Sequence, residues 1–205
     1  MLNTIKSYAK INLFLNVVDK LDTGFHQLNS VLSRIDLYDE IRIKDESSFS
    51  ISYNGPFGDQ VGSNDHVSKL FNYLIDKNYL KQKSFAIHVV KNIPVGSGLG
   101  GGSSNVAEII KYLIRSNLLD NSSSTEIARD LGSDIEFFID EGSALISGKG
   151  NVDQRLKINS DKHFLIIFPN VQNSTKDIFN KHSNLSGEKF SYNKDTNLDG
   201  ILKGT

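Results

Sequence analysis

The sequence predicts an α+β fold, on three observations. Period-two and period-3.6 apolar patterns both occur, and they do not alternate as regular βαβ units would. The 205 residues also suffice for a sizeable buried core. Along the chain the order reads strand, strand, helix, strand, glycine-rich loop, helix, helix, strand.

The first strand covers residues 9–17, where Ala9, Ile11, Leu13, Leu15 and Val17 share one face and Lys10, Asn12 and Asn16 share the other. Asp22, Thr23 and Gly24 then make a turn. Residues 40–44, 49–53 and 85–90 are further strand segments. Within this stretch Val67, Leu70, Phe71, Leu74 and Ile75 recur at helical spacing, with Asn64 or Asp65 as N-cap. Val106, Ile109, Ile110, Leu113 and Ile114 repeat that spacing, so a second helix is expected to start within Ser103, Ser104 and Asn105. Asn105 and Glu108 stand in the positions of a capping box. A shorter helix is capped by Ser123, carries Glu126 three residues on and ends near Gly132. Residues 144–147 read as a strand. Residues 163–168 contain FLIIF, which does not alternate, and read as a strand buried on both faces. From about residue 170 the chain turns polar and rich in Asn, Ser and Lys.

Composition narrows the function. At 38% hydrophobic and 23% charged residues the chain is a folding sequence rather than a disordered one. A net charge of −1 argues against a nucleic-acid or anionic-membrane partner. The absence of cysteine excludes disulfides and thiolate metal sites and fits a reducing compartment. Lys10, Asn12 and Asn16 interrupt the N-terminal apolar run, so no signal peptide is predicted. No run approaches the roughly 20 apolar residues that span a bilayer. The expectation is a cytoplasmic protein.

Residues 94–105, PVGSGLGGGSSN, hold five of the chain's 16 glycines. A flexible linker is disfavoured, because amphipathic segments abut the stretch on both sides and Pro94 stiffens its start. Gly96, Gly98 and Gly101 satisfy the dinucleotide-binding GxGxxG spacing. That reading requires a strand leading directly into the loop, whereas Lys91–Pro94 intervene, and Asp120 does not close a following strand. The Walker A pattern fails because no lysine follows the glycines. A phosphate-binding loop without lysine remains. Bare backbone N–H groups close on phosphate oxygens, and the next helix directs its positive end at the same anion. Ser103 and Ser104 are placed to offer hydroxyls to phosphate or to a bound Mg²⁺.

The loop resembles the second motif, P-x-x-x-G-L-G-[GS]-[GS]-S, of the galactokinase–homoserine kinase–mevalonate kinase–phosphomevalonate kinase superfamily. Together with AKINLFL at 9–15, GFHQL at 24–28 and LGSDIEFFI at 131–139, it is similar to the branch that acts on 4-diphosphocytidyl-2-C-methyl-D-erythritol in the non-mevalonate isoprenoid pathway. The motifs fall in the family's order across residues 9 to about 180. The resemblance implies a two-lobed small-molecule kinase fold and transfer of the ATP γ-phosphoryl group to the substrate's 2-hydroxyl, with ATP and Mg²⁺ as cofactors. Residues 1–150 would form the ATP-binding lobe, and 151–205 the start of an incomplete substrate lobe.

The same resemblance assigns residues. Asp134 matches the catalytic aspartate that orients or deprotonates the attacking hydroxyl, and Lys10 the active-site lysine. Asn12, Phe25, His26 and Phe179 match substrate-binding positions, with His26 on the cytosine edge and the two Phe rings stacked on the base. Asn64 and Lys91 match adenine contacts. Pro94, Gly96, Ser97, Gly98, Leu99, Gly100, Gly101, Gly102, Ser103 and Ser104 form the loop around the ATP phosphates. The family's third glycine-rich motif has no counterpart, so this form is expected to be a weak or inactive kinase with exposed apolar surface. The competing readings are a homoserine- or mevalonate-type kinase, which lacks the Gly-aromatic-His of residues 24–26, and a nucleotide-binding remnant without transfer activity.

Overall fold

The structure is a computed structural model and describes residues 4–20, 26–80, 85–148, 150–158, 163–169 and 198–203. The elements are β1 (Ile5–Lys20), β2 (His26–Asp45), β3 (Ser50–Asn54), α1 (His66–Asp76), β4 (Phe85–Val90) and α2 (Gly101–Arg115). There follow α3 (Ser124–Leu131), α4 (Ser133–Ile139), β5 (Ser143–Gly148), β6 (Asn151–Leu156) and α5 (Leu198–Lys203). The chain divides into two compact units, Met1–Ala9 with Ile35–Asp140, and Lys10–Arg34 with Glu141–Thr205. The long strands β1 and β2 each contribute to both units.

In the first unit, β2 pairs antiparallel with β4 from Glu40↔Val90 to Asp45↔Phe85. β3 pairs parallel with β4 from Ser50↔Ala86 to Asn54↔Val90. Parallel neighbours need a crossover, and α1 supplies it, so one βαβ unit sits inside the α+β order. Val67, Leu70, Phe71 and Leu74 of α1 are all buried, at the i, i+3, i+4, i+7 spacing read from the sequence. Asp65, one of the two expected caps, closes the helix start by accepting from Ser68 N at 2.8 Å and Ser68 Oγ at 2.6 Å. The Phe71 ring lies between those of Phe49 and Phe85, with centroids at 4.8 and 5.7 Å. α2 packs on α1 and α4, burying Val106, Ile109, Ile110 and Leu113. Phe137 and Phe138 bring α4 into this core.

In the second unit, β2 pairs antiparallel with β5 from Leu28↔Gly148 to Leu32↔Ala144, and β5 pairs with β6. Its core holds Leu13, Val31, Leu156 and Ile201, with Ile11, Phe14, Leu145 and Ile158 packed against them. Leu15, expected on the apolar face of β1, is exposed. β6 carries no sequence signal, since Asn151, Asp153 and Gln154 leave it mostly solvated.

Three expectations are corrected. The second helix starts at Gly101, not within residues 103–105, and Asn105 is a buried interior residue rather than a cap. Its amide is drawn into a polar network across the first unit, which outweighs capping. The strand of residues 40–44 is the end of a 20-residue strand, whose earlier half lacks a simple alternation. Residues 163–168 form no strand, and Leu165 and Ile167 are 88% and 80% exposed. An apolar run reports only that its side chains would gain by leaving water. A strand also needs a partner for its backbone, and none of the described strands pairs with this one.

Truncating Phe71 removes the ring that joins Phe49 and Phe85, so Phe71→Ala should cost about 3–5 kcal/mol. Urea unfolding followed by circular dichroism reads this directly. A loss below about 1 kcal/mol would contradict the packing described.

Candidate active site

A cavity of 320 Å³ lies wholly within the first unit. The glycine loop, the start of α1, the first turn of α2, Tyr53, Lys91 and Asp134 line it. Of the residues singled out from the sequence, Asn64, Lys91, Pro94, Gly96, Ser97, Gly98, Gly100, Gly101, Gly102, Ser103 and Asp134 meet there. Leu99 and Ser104 are not among the lining residues. Ser104 is buried and its hydroxyl accepts from Ser7 Oγ at 2.8 Å, so of the two serines Ser103 is the one at the cavity.

The loop's shape follows from its glycines. Gly96, Gly98 and Gly100 have φ of +72°, +76° and +73°, a region open to glycine at little cost. Between them Ser97 Oγ donates to Pro94 O at 2.7 Å, bracing the first turn. Gly100 is the N-cap of α2 and provides no side-chain acceptor. The N–H groups of Gly101, Gly102 and Ser103 therefore precede the first intrahelical donor, Ser104 N, which bonds Gly100 O at 2.9 Å. Gly102 is also required by contact: a Cβ there would fall 2.1 Å from His66 Nδ1.

Behind the loop lies a buried polar network. Asp39, fully buried on β2, accepts from the Lys91 ammonium, from Asn92 N at 2.8 Å, Ile93 N at 2.9 Å and Asn105 Nδ2 at 3.0 Å. Asn105 Oδ1 accepts from Lys91 Nζ at 3.0 Å, and Asn105 Nδ2 also donates to Ser7 Oγ at 2.9 Å. Lys91 thus lines the cavity with its charge already paired. Sequence reading missed Asp39, which looks like the polar face of a strand, and misread Asn105 as a cap.

At the mouth, Tyr53 donates through its hydroxyl to Asp65, tying β3 to the cap of α1. Burial raises the Asp65 pKa, but hydrogen bonds from Ser68, Tyr53 and the Ser68 and Val67 amides outweigh it and hold the carboxyl below its ordinary value. Burial, and then the bond to Asp65, push the Tyr53 phenol up. His66 is lowered by partial desolvation and by Lys69 and Lys91, against an opposing pull from Asp65. Tyr53 and His66 were not singled out from the sequence, and Asp65 only as an N-cap candidate.

The second unit holds the remaining candidates. Lys10 is buried on β1, and its ammonium donates to Asn12 Oδ1 at 3.0 Å. Asn12 Nδ2 donates to Ser30 Oγ at 2.9 Å, and Ser30 Oγ to Phe14 O at 2.6 Å. His26, half-buried, opens β2. Phe25 and Phe179 lie outside the described residues. Among the described residues no group of three or more His, Cys, Asp or Glu could hold a metal ion, and no helix is long and apolar enough to cross a membrane.

The chain matches the GHMP kinases N terminal domain over residues 65–145, the stretch that carries α1, the glycine loop and Asp134. It is 35% identical over 191 residues to the 4-diphosphocytidyl-2-C-methyl-D-erythritol kinase of Pelagibacter ubique (strain HTCC1062), covering 91% of this chain and 67% of that one. The enzyme of the same name from Fervidobacterium nodosum is 32% identical over 219 residues, covering 98% of this chain and 76% of the relative. A crystal structure of 4-(cytidine 5'-diphospho)-2C-methyl-D-erythritol kinase aligns with a TM-score of 0.63 at 28% identity, over 77% of this chain and 56% of that one. The chain thus spans about two thirds of the length of the first of these relatives.

Two outcomes test the geometry. Gly102→Ala alone should lower the melting temperature, because the new methyl meets His66. On a His66→Ala background the same change should be neutral or stabilising, since alanine favours a helix over glycine by about 0.8–1.0 kcal/mol. Additive losses in thermal unfolding would contradict the contact. Asp65→Ala should cost about 1 kcal/mol at neutral pH through the lost cap. The depressed carboxyl stabilises the fold above about pH 4, and that contribution disappears as pH falls through its lowered native value. Wild-type and variant stability curves should therefore converge in acid. A gap that stays constant would count against the cap.

Proposed function

The chain belongs to the 4-diphosphocytidyl-2-C-methyl-D-erythritol kinase family, and on that premise we propose that it binds ATP in the glycine-loop cavity and phosphorylates the 2-hydroxyl of 4-diphosphocytidyl-2-C-methyl-D-erythritol. The observation that carries this reading is that Asp134 and the glycine loop line one cavity. An anion cradle alone binds phosphate. A carboxylate in the same cavity adds a group able to orient or deprotonate a hydroxyl.

The chemistry follows from these parts. The loop N–H groups, those of Gly101, Gly102 and Ser103 above all, hold the phosphate oxygens and stabilise charge on the transferring group. The acceptor oxygen forms a bond to the γ-phosphorus as the bond to the β-phosphate oxygen breaks, and ADP departs. Asp134 takes up or directs the hydroxyl proton. Positioning and charge neutralisation supply most of the rate in such transfers. Asn64 and Lys91 both line the cavity, and we assign the adenosine to the side of Asn64, since the Lys91 ammonium is spent on Asp39 and Asn105.

Mg²⁺ fits as an ion that arrives on the phosphates, since it keeps several waters and is usually bound through substrate oxygens. Ser103 Oγ and Asp134 are the residues that would face it, and it would offset phosphate charge. For the acceptor, the assignments of Lys10, Asn12, His26, Phe25 and Phe179 rest on their motifs. We assign the reaction to the cytoplasm, where ATP is available.

Calorimetry with ATP and a coupled ADP assay on the cytidine substrate test the proposal together. Asp134→Asn should lower turnover by about 10²–10⁴-fold while leaving ATP affinity within about threefold. A chain that binds ATP but shows no turnover to lose would be a nucleotide-binding protein instead.

A further inference from the structure

We propose that Asp39 is a positioning residue for the glycine loop, acting through Lys91 and Asn105, and that Lys91 serves as its buried counter-charge rather than as a phosphate ligand. The inference rests on the reading of the loop as a nucleotide cradle. Asp39 is fully buried, does not line the cavity, and is engaged by donors from both sides of the loop. On the incoming side one carboxylate oxygen accepts from Asn92 N and Ile93 N, fixing the backbone just before Pro94. On the outgoing side the other accepts from Asn105 Nδ2, in the second turn of α2. Lys91 closes the triangle by donating to both Asp39 and Asn105.

The loop is thereby held at both ends by one carboxylate. Gly101 shows how tight the arrangement is. A Cβ there would lie 3.0 Å from Ile93 Cγ2 and 3.2 Å from Lys91 Nζ, so the helix start rests directly on the clamped segment. Asn105 has no donor left over, because its two amide hydrogens go to Ser7 and Asp39, and its oxygen accepts from Lys91. Lys91 is 4% exposed and paired, so a phosphate drawing it away would leave Asp39 as an uncompensated buried charge. The positive element offered to the nucleotide is then the fixed set of loop N–H groups.

The test is a double-mutant cycle on the full chain with two readouts. Asp39→Asn and Lys91→Met each strand the other partner. The double variant removes both charges at nearly the same volume and guards against a single variant that does not fold. ATP affinity by calorimetry should fall at least tenfold in each single variant and return to within threefold of wild type in the double. Amide exchange in the ligand-free chain should rise at residues 93–104 in Asp39→Asn, recover in the double, and stay unchanged in α1. A double variant as weak for ATP as Lys91→Met would make Lys91 a phosphate ligand and overturn the proposal. Unchanged exchange at 93–104, or a rise spread equally over the unit, would overturn it too. A wild-type chain that fails to bind ATP while exchange responds as expected would sink the nucleotide reading and leave the positioning role standing.

Discussion

The Asp39–Lys91 ion pair is the interaction on which the first unit's cavity depends. Both side chains are almost wholly removed from water, at 0% and 5% exposure. Desolvating two such charges costs several kcal/mol per ion, and their attraction offsets this only when the remaining lone pairs and protons are satisfied. Here the carboxylate receives four donors, and the ammonium has a second acceptor in Asn105. Losing one partner of such a pair costs about 3–5 kcal/mol. The network therefore has two arrangements available, complete or badly strained, and little between. That is how a loop nearly free of side chains is held in one shape.

Rigidity in this loop is thus supplied from outside it. Three left-handed glycines let the backbone turn without side-chain obstruction, but each also lowers the cost of leaving that conformation. Anchoring at Asn92–Ile93 and at Asn105 offsets that freedom at both ends. His66 against Gly102 and the Tyr53–Asp65 bond confine the opposite wall. A cradle that is already shaped does not have to be ordered by its ligand, which is where preorganisation favours binding and transfer.

The sequence made the periodic elements legible, and for a physical reason. α1 shows its buried stripe at Val67, Leu70, Phe71 and Leu74, and β4 was placed at its observed ends, because burial on one face leaves a repeat. Elements set by distant partners were not legible. The start of α2 moved to Gly101 because Asn105 is claimed by Asp39, Lys91 and Ser7, which lie 66, 14 and 98 residues away in sequence. FLIIF was read as a buried strand from composition alone, and composition cannot supply a neighbour. At the site, motif spacing brought Asp134 and the loop to one cavity, while Asp39, Tyr53 and His66 carry no local signature. Their roles come from contact across the fold.

The most direct measurement is a crystal structure of the chain with a non-hydrolysable ATP analogue and Mg²⁺. The expected result places the phosphates against the backbone N–H groups of residues 96–103, beside Asp134, with Lys91 Nζ still on Asp39. Phosphates bound elsewhere, or Lys91 swung from Asp39 onto a phosphate oxygen, would contradict a cradle built from backbone and clamped from behind.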